Sequence, residues 1–117
     1  MSYDVYLVQD KYKSNYTSNV CKMLQAAFEQ LQKENLAPDY YTHWSEPMVN
    51  AWDDGKGRTY LRALIKELKA YPEKYEPLQP KIDPKTGERW GSYETCIKWL
   101  EEILSHWKEG YRMEIDK

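Results

Sequence analysis

Histidine and cysteine are scarce in this sequence, and their scarcity argues against several kinds of site. The chain of 117 residues has two of each, and none stands at the close spacing of a zinc site, such as Cys-x-x-Cys or His-x-x-x-His. A structural zinc site is therefore not expected. Cys21 and Cys96 both fall on apolar stripes of predicted helices. This position favours buried free thiols over a disulfide and fits a reducing cytosol.

Long apolar runs and an excess of one charge are also lacking. No stretch is apolar enough for a signal segment or a membrane-spanning helix, so we expect a soluble, cytoplasmic protein with no membrane partner. The formal net charge is only -2. A protein that binds the phosphate backbone normally carries a dense basic face, and a nucleic-acid partner is therefore not expected.

Phenylalanine occurs once, whereas the chain has eleven tyrosines and five tryptophans. Tyrosine and tryptophan combine a large apolar body with a polar tip, so they suit half-buried positions and binding surfaces. The alternative is that these bulky residues fill a small core, and many of them do fall on helical apolar faces. The length and the hydrophobic content of 41% indicate a single domain, residues 1–117, with one modest core.

The apolar periodicity predicts strands at the two ends of the chain and three helices between them. Residues 2–9 and 111–116 alternate as strands do. Two isolated strands are marginal, so we expect them to pair with each other. Apolar residues recur at three- and four-residue steps in residues 17–35, 57–75 and 93–107. The predicted fold is α+β and mainly helical, with three main helices packed on a small two-stranded sheet formed by the N- and C-terminal strands.

Capping residues mark the ends of these helices. Ser92 is the predicted N-cap of the last helix, Gly91 allows a sharp turn ahead of it, and Gly110 stands where a left-handed residue ends a helix. Ser45 is predicted to open a short helix within residues 45–52. Candidates for the N-cap of the first helix are Thr17, Ser18 and Asn19.

Two long connections, residues 36–56 and 72–91, contain the aromatic residues of greatest interest. Loops of this length are uncommon in a small domain unless they carry function or short extra structure. If both lie at the same end of the domain, they form an aromatic-lined cleft. If instead they fold back, the tryptophan rings cap the core, while Trp90 either packs onto the last helix or projects into the cleft. The predicted binding residues are Tyr40, Tyr41, His43, Trp44, Trp52, Tyr75 and Trp90.

Catalysis and metal binding find little support. His43 lies near Ser45 and Glu46, but catalytic triads bring residues together from separate elements, and adjacency in sequence does not make one. Residues 52–57, WDDGKG, lack the ligand spacing of a calcium loop and the glycine spacing of a phosphate-binding loop. We therefore expect a non-enzymatic protein with no catalytic residue, no metal and no cofactor.

Four segments carry a family resemblance: YDVYLV (3–8), NYTSNV (15–20), AYPEKYEPLQP (70–80) and RWGSYETCIKWLEEIL (89–104). Together they resemble a family of small uncharacterised proteins of bacteria and their phages, in which an Asn-Tyr-Thr-x-Asn segment precedes the first helix and a Trp-Gly-x-Tyr-Glu segment opens the last. Residues 36–56 depart from that pattern. The resemblance implies no catalytic residue. It implies only the binding and blocking of a host or defence component, as is common for small phage proteins.

Three functional hypotheses follow. The first is a small soluble interaction protein, of phage or mobile-element origin, that binds a protein partner through an exposed patch of aromatic loop residues. The alternative is a domain that binds a small ligand, a nucleotide or a sugar, in a concave Trp/Tyr-lined pocket. Its stacking wall would be Trp44, Trp52 or Trp90, with donors among Asn15, Asn19, Arg58 and Arg89. The third is an enzyme that uses His43 and a carboxylate as acid and base.

Overall fold

The computed structural model describes residues 2–50 and 56–116, and this part of the chain is α+β and mainly helical, as predicted. The strands are β1 (Ser2–Leu7), β2 (Tyr12–Thr17) and β3 (Met113–Asp116). The α-helices are α1 (Cys21–Lys33), α2 (Glu46–Asn50), α3 (Lys56–Ala70), α4 (Pro72–Tyr75) and α5 (Tyr93–His106). Short 3-10 segments follow β1, β2 and α4 at Val8–Asp10, Ser18–Val20 and Glu76–Leu78.

The described sheet has three strands in the order β2–β1–β3, so the prediction of two was incomplete. The predicted pairing of the terminal strands is confirmed, since β1 and β3 are antiparallel with Val5 opposite Ile115. The additional strand is β2, which pairs along the whole of β1 from the other side. Its sequence, YKSNYT, alternates tyrosine and serine with lysine and asparagine. It lacks the valine and isoleucine that mark most strands.

The helices cover one face of the sheet. Tyr3, Val5 and Leu7 of β1 are buried on that face, as their alternation predicts. The predicted apolar stripe of α1 is likewise buried, and α3 packs against α1, α2 and α5. Trp99 of α5 lies outside the stripe predicted for that helix, yet it is buried, because its ring packs against Tyr16 of β2; its Nε1 also donates to Ser14 Oγ at 2.6 Å. The unpredicted strand, β2, therefore supplies packing that the helical periodicity does not reveal.

The two ends of α5 show one correct and one wrong prediction. Ser92 is the N-cap, as predicted, and its hydroxyl accepts from the Thr95 N–H at 3.2 Å in a capping box. At the other end the helix stops at His106 and not at Gly110, although Gly110 does have a positive φ of 83°. The chain leaves the helix at Trp107, whose buried ring packs on Gly57 of α3. Burial of this indole ends the helix before the glycine is reached.

The starts of α1 and α2 were also predicted from capping residues. Thr17 caps the 3-10 turn that precedes α1, accepting from the Asn19 N–H at 3.3 Å, while α1 itself follows Val20 without a side-chain cap. The predicted short helix is present as α2, and the Ser45 carbonyl accepts from the Val49 N–H.

The thiols of Cys21 and Cys96 are free, as predicted. Cys21 is half-buried, while Cys96 is fully buried, and burial raises the pKa of its thiol to about 12.

Replacing Ser92 by alanine is expected to lower the free energy of unfolding by about 1 kcal/mol, because the Thr95 amide loses its capping acceptor. Urea denaturation followed by circular dichroism measures the change. Ser92→Asp is the matched control, since aspartate also caps helices well. Equal stability of the alanine and aspartate variants would contradict a capping role for this side chain.

Candidate functional site

A cleft of about 580 Å³ lies at one end of the sheet, between β2 and the residues that lead into α5. Its volume falls in the usual range for small-molecule sites. The cleft is lined on one side by Ser2, Asn15, Tyr16, Thr17 and Asn19, and on the other by Arg89, Trp90 and Gly91. The NYTSN and RWG segments, which are distant in sequence, therefore meet here.

Tyr16 joins the two walls of the cleft. Its hydroxyl accepts from the Ser92 N–H at 3.2 Å and also bonds the Thr95 hydroxyl. Ser92 and Thr95 form the capping box of α5, so β2 is bonded directly to the start of that helix. The Tyr16 ring also packs against Trp99, with the ring centroids 5.2 Å apart. The capping interactions of α5 thus fix the separation of the two walls.

Gly91 brings the walls into contact at the base of the cleft. Its φ is +92°, in the region that favours glycine. A Cβ at this position would lie 2.5 Å from Thr17 Cγ2 and 3.0 Å from Val20 Cγ1. Both the backbone conformation and the close approach therefore require glycine.

Trp90 and Arg89 present an apolar face and a cation to the cleft. The Trp90 side chain is 58% exposed and is one of the lining residues, in agreement with the predicted alternative in which it projects into the cleft. Arg89 is also exposed, and its guanidinium makes no hydrogen bond or ion pair with any described residue. A stacking surface and an unpaired charge thus stand side by side.

Asn15 stands on the opposite wall with its amide hydrogens already committed. Its Nδ2 donates to Ser2 Oγ at 3.1 Å and to Asp4 Oδ1 at 2.6 Å. The Asp4 carboxylate fixes this orientation, because a flipped amide would set two oxygens against each other. The atom of Asn15 left to accept from a ligand is therefore Oδ1.

Three of the four donors predicted for a ligand site line this cleft, namely Asn15, Asn19 and Arg89. The fourth, Arg58, lies in α3 and is not among the lining residues. Ser2, Tyr16 and Thr17 were not predicted to line a site. Recognition of YKSNYT as a strand would have placed Ser2 opposite Thr17 and would have brought all three residues into consideration.

Two predicted binding residues are corrected by their positions in the core. Trp44 is fully buried and meets Tyr3 edge-on, with the ring centroids 5.2 Å apart. Tyr75 is also fully buried, where it donates to the Glu67 carboxylate, and burial together with Glu67 raises its pKa. Neither side chain is positioned to touch a ligand.

The connection that contains Trp44 folds back over the core because side chains of α1 form hydrogen bonds with its backbone. Gln25 Nε2 donates to the Thr42 carbonyl at 2.9 Å, and Gln25 Oε1 accepts from the Trp44 N–H at 3.1 Å. Gln32 Nε2 donates to the carbonyls of Pro38 and Tyr41. These bonds hold the connection along α1, so its tryptophan points inward.

Two further predicted binding residues, Tyr40 and Tyr41, lie outside the cleft. Tyr40 is 73% exposed and its ring lies 4.5 Å from that of the half-buried Tyr41, but neither residue lines the cleft. Trp52 lies outside the described residues. The single aromatic cleft predicted from both connections is therefore not formed by the part of the chain that the structure describes, and Trp90 is the one predicted binding residue among the cleft's lining residues.

His43 and Glu46 organise the turn that leads into α2. His43 Nδ1 lies 2.7 Å from Ser45 Oγ, and Nε2 lies 3.9 Å from Cys21 Sγ. Glu46 Oε1 accepts from the backbone N–H of His43 at 2.8 Å. Partial burial alone would raise the pKa of Glu46, but hydrogen bonds from Thr42 and from the His43 amide outweigh it and lower that pKa. These contacts stabilise the backbone of the turn.

Between residues 2 and 50 and between 56 and 116, no three side chains of histidine, cysteine, aspartate or glutamate are grouped so as to hold a metal ion. No helix within these ranges combines the length and the apolar character needed to cross a membrane.

Comparisons with protein-family models, curated proteins and solved structures gave no match to this chain. The family resemblance therefore stays a prediction, and support for a function comes from the geometry of the cleft.

Proposed function

We propose that the protein is a small-ligand binding domain and that the cleft beside Trp90 is its binding site. One observation carries this proposal: an exposed indole, an unpaired guanidinium and two asparagine side chains surround one cleft of about 580 Å³. A flat apolar face with a few convergent polar groups is the usual composition of a small-molecule site. Nucleotides and sugars are the ligand classes that suit such a site, and binding them requires no catalytic group.

The fixed geometry of the walls supports the same conclusion. Tyr16 ties β2 to the start of α5, and Gly91 lets the two segments touch. A site whose walls are already in place loses little conformational entropy when a ligand enters. The cleft is thus organised before binding.

Trp90→Ala is expected to weaken ligand binding about tenfold or more, since an aromatic platform contributes strongly to stacking. Isothermal titration calorimetry against mononucleotides and small sugars measures this effect. Trp90→Phe retains a ring and is expected to retain most of the affinity. Tyr40→Ala removes an exposed ring outside the cleft and should bind as the wild type does. The absence of binding to any member of the panel, or full affinity in Trp90→Ala, would overturn the proposal.

A protein partner is the second candidate function. Its support is the exposure of Leu36 at 55% and Tyr40 at 73%, two large hydrophobic residues of the same connection. Affinity capture with wild type, Tyr40→Ala and Trp90→Ala separates the candidates. A partner that is lost with Tyr40→Ala but kept with Trp90→Ala favours this second function. Such a partner would bind outside the cleft and would leave the cleft free for a ligand.

A further inference from the structure

We propose that the ligand of the Trp90 cleft is a mononucleotide, with its base stacked on Trp90 and its phosphate bound by Arg89. This inference rests on the proposed function and narrows its ligand class from nucleotide or sugar to nucleoside monophosphate. It is carried by the charge of the cleft, the committed hydrogens of Asn15 and the position of the exposed indole.

The charge of the cleft favours an anion. Arg89 is the one cationic side chain among the lining residues, and none of those residues is acidic. Two other exposed cations do have a carboxylate close by: Lys69 lies 2.7 Å from Glu101, and Arg112 lies 3.1 Å from Glu114. A guanidinium matches a phosphate with two parallel hydrogen bonds. A neutral sugar would leave this charge without a counterpart.

Asn15 adds a preference for a ligand that donates hydrogen bonds. Both of its amide hydrogens are used by Ser2 and Asp4, so Oδ1 accepts from the ligand. The exocyclic amine of a base and the hydroxyl of a ribose are such donors. A phosphate oxygen has no hydrogen to offer at neutral pH, and we therefore place the phosphate on the Arg89 side of the cleft, away from Asp4.

The indole and the number of cations distinguish a mononucleotide from other phosphates. Trp90 is 58% exposed, and every base has a flat face that can stack on an aromatic ring. An inorganic phosphate would leave that ring unused. A longer polynucleotide would bring several phosphates to a cleft that has one cationic lining residue, on a protein of net charge -2. One base and one phosphate match what the cleft presents.

Calorimetric titration of the wild type with AMP, GMP, CMP, UMP, their four nucleosides and maltose tests this inference. At least one monophosphate should bind about tenfold more tightly than its own nucleoside, since charge-assisted hydrogen bonds are the strong ones. Arg89→Ala should reduce the affinity for that monophosphate to the level of the nucleoside and leave nucleoside binding unchanged. Arg62→Ala removes an exposed arginine of α3 outside the cleft and is the matched control. Added salt should weaken the binding of the monophosphate and leave the binding of the nucleoside unchanged.

Three outcomes test the mononucleotide inference separately from the proposed ligand-binding function on which it rests. Equal binding of the monophosphates and nucleosides, unaffected by Arg89→Ala, overturns the role of phosphate while the ligand site stands. Preferential binding of maltose that depends on Trp90 likewise overturns the nucleotide and keeps the site. No binding by any compound overturns both. Circular dichroism of Arg89→Ala, an exposed position, verifies that the variant is folded.

Discussion

Trp44→Ala is expected to lower the free energy of unfolding by about 3–5 kcal/mol, as is typical when a buried tryptophan is truncated. The ring is fully buried between Tyr3 and Trp99, at centroid distances of 5.2 and 6.3 Å. Its removal leaves a cavity that the surrounding core cannot fully close. Because small domains are stable by only about 5–15 kcal/mol, the variant should be close to unfolded at elevated temperature.

Urea denaturation at low temperature, followed by circular dichroism, measures this loss. Trp44→Phe keeps most of the ring and gives up the weak bond from Nε1 to the Tyr3 hydroxyl, 3.4 Å away, so its loss should be clearly smaller. Tyr40→Ala truncates an exposed ring of the same connection and should change stability by less than about 1 kcal/mol. A Trp44→Ala protein as stable as Tyr40→Ala would show that this connection does not cap the core in solution.

Gly91→Ala is expected to cost about 2–5 kcal/mol of stability and to weaken ligand binding as well. Two costs add at this position: the positive φ of 92° opposes a side chain, and the new methyl group overlaps Thr17 Cγ2. Relief of the overlap requires residues 89–91 to move away from β2. The walls of the cleft would then separate, and Trp90 would no longer face Asn15.

Gly87→Ala separates these two costs. Gly87 also has a positive φ, of 73°, but no atom lies within 4 Å of the position its Cβ would take. The additional loss in Gly91→Ala over Gly87→Ala, measured by denaturation, is therefore the steric overlap alone. Thr17→Ser in the Gly91→Ala background removes Cγ2 while it keeps the hydroxyl that caps the 3-10 turn, and should recover part of the loss. Equal losses for the two glycine variants would contradict the close approach.

The helices and the terminal strand pairing could be predicted from the sequence, whereas β2 could not. Leu61, Leu64 and Ile65 of α3 recur at helical spacing, and all three are buried. This spacing can be recognised in the sequence because each helix makes its own backbone hydrogen bonds and needs only one apolar stripe. In β2 the core-facing positions are Tyr12, Ser14 and Tyr16, which are half-buried. Their pairing depends on β1, and a local pattern of tyrosine and serine does not reveal that dependence.

The candidate site was predictable in its parts and not in their arrangement. Trp90, Asn15 and Arg89 were all named from the sequence, but their meeting requires the unpredicted strand. Trp44 was misplaced because the composition of a loop does not state which way the loop folds. The direction is set here by Gln25 and Gln32 of α1, and glutamines on a helix surface carry no periodic signal.

The strand order has a consequence for how the chain folds. Val5 pairs on one side with Ser14, a few residues away, and on the other with Ile115, across nearly the whole chain. Closing the longer loop costs roughly 2 kcal/mol more in chain entropy than closing the shorter one. The β1–β2 hairpin can therefore form early, while β3 gains little from docking until the helices between have collapsed. The wall of the cleft that carries Asn15 belongs to the early hairpin, and the wall that carries Trp90 is added when α5 docks.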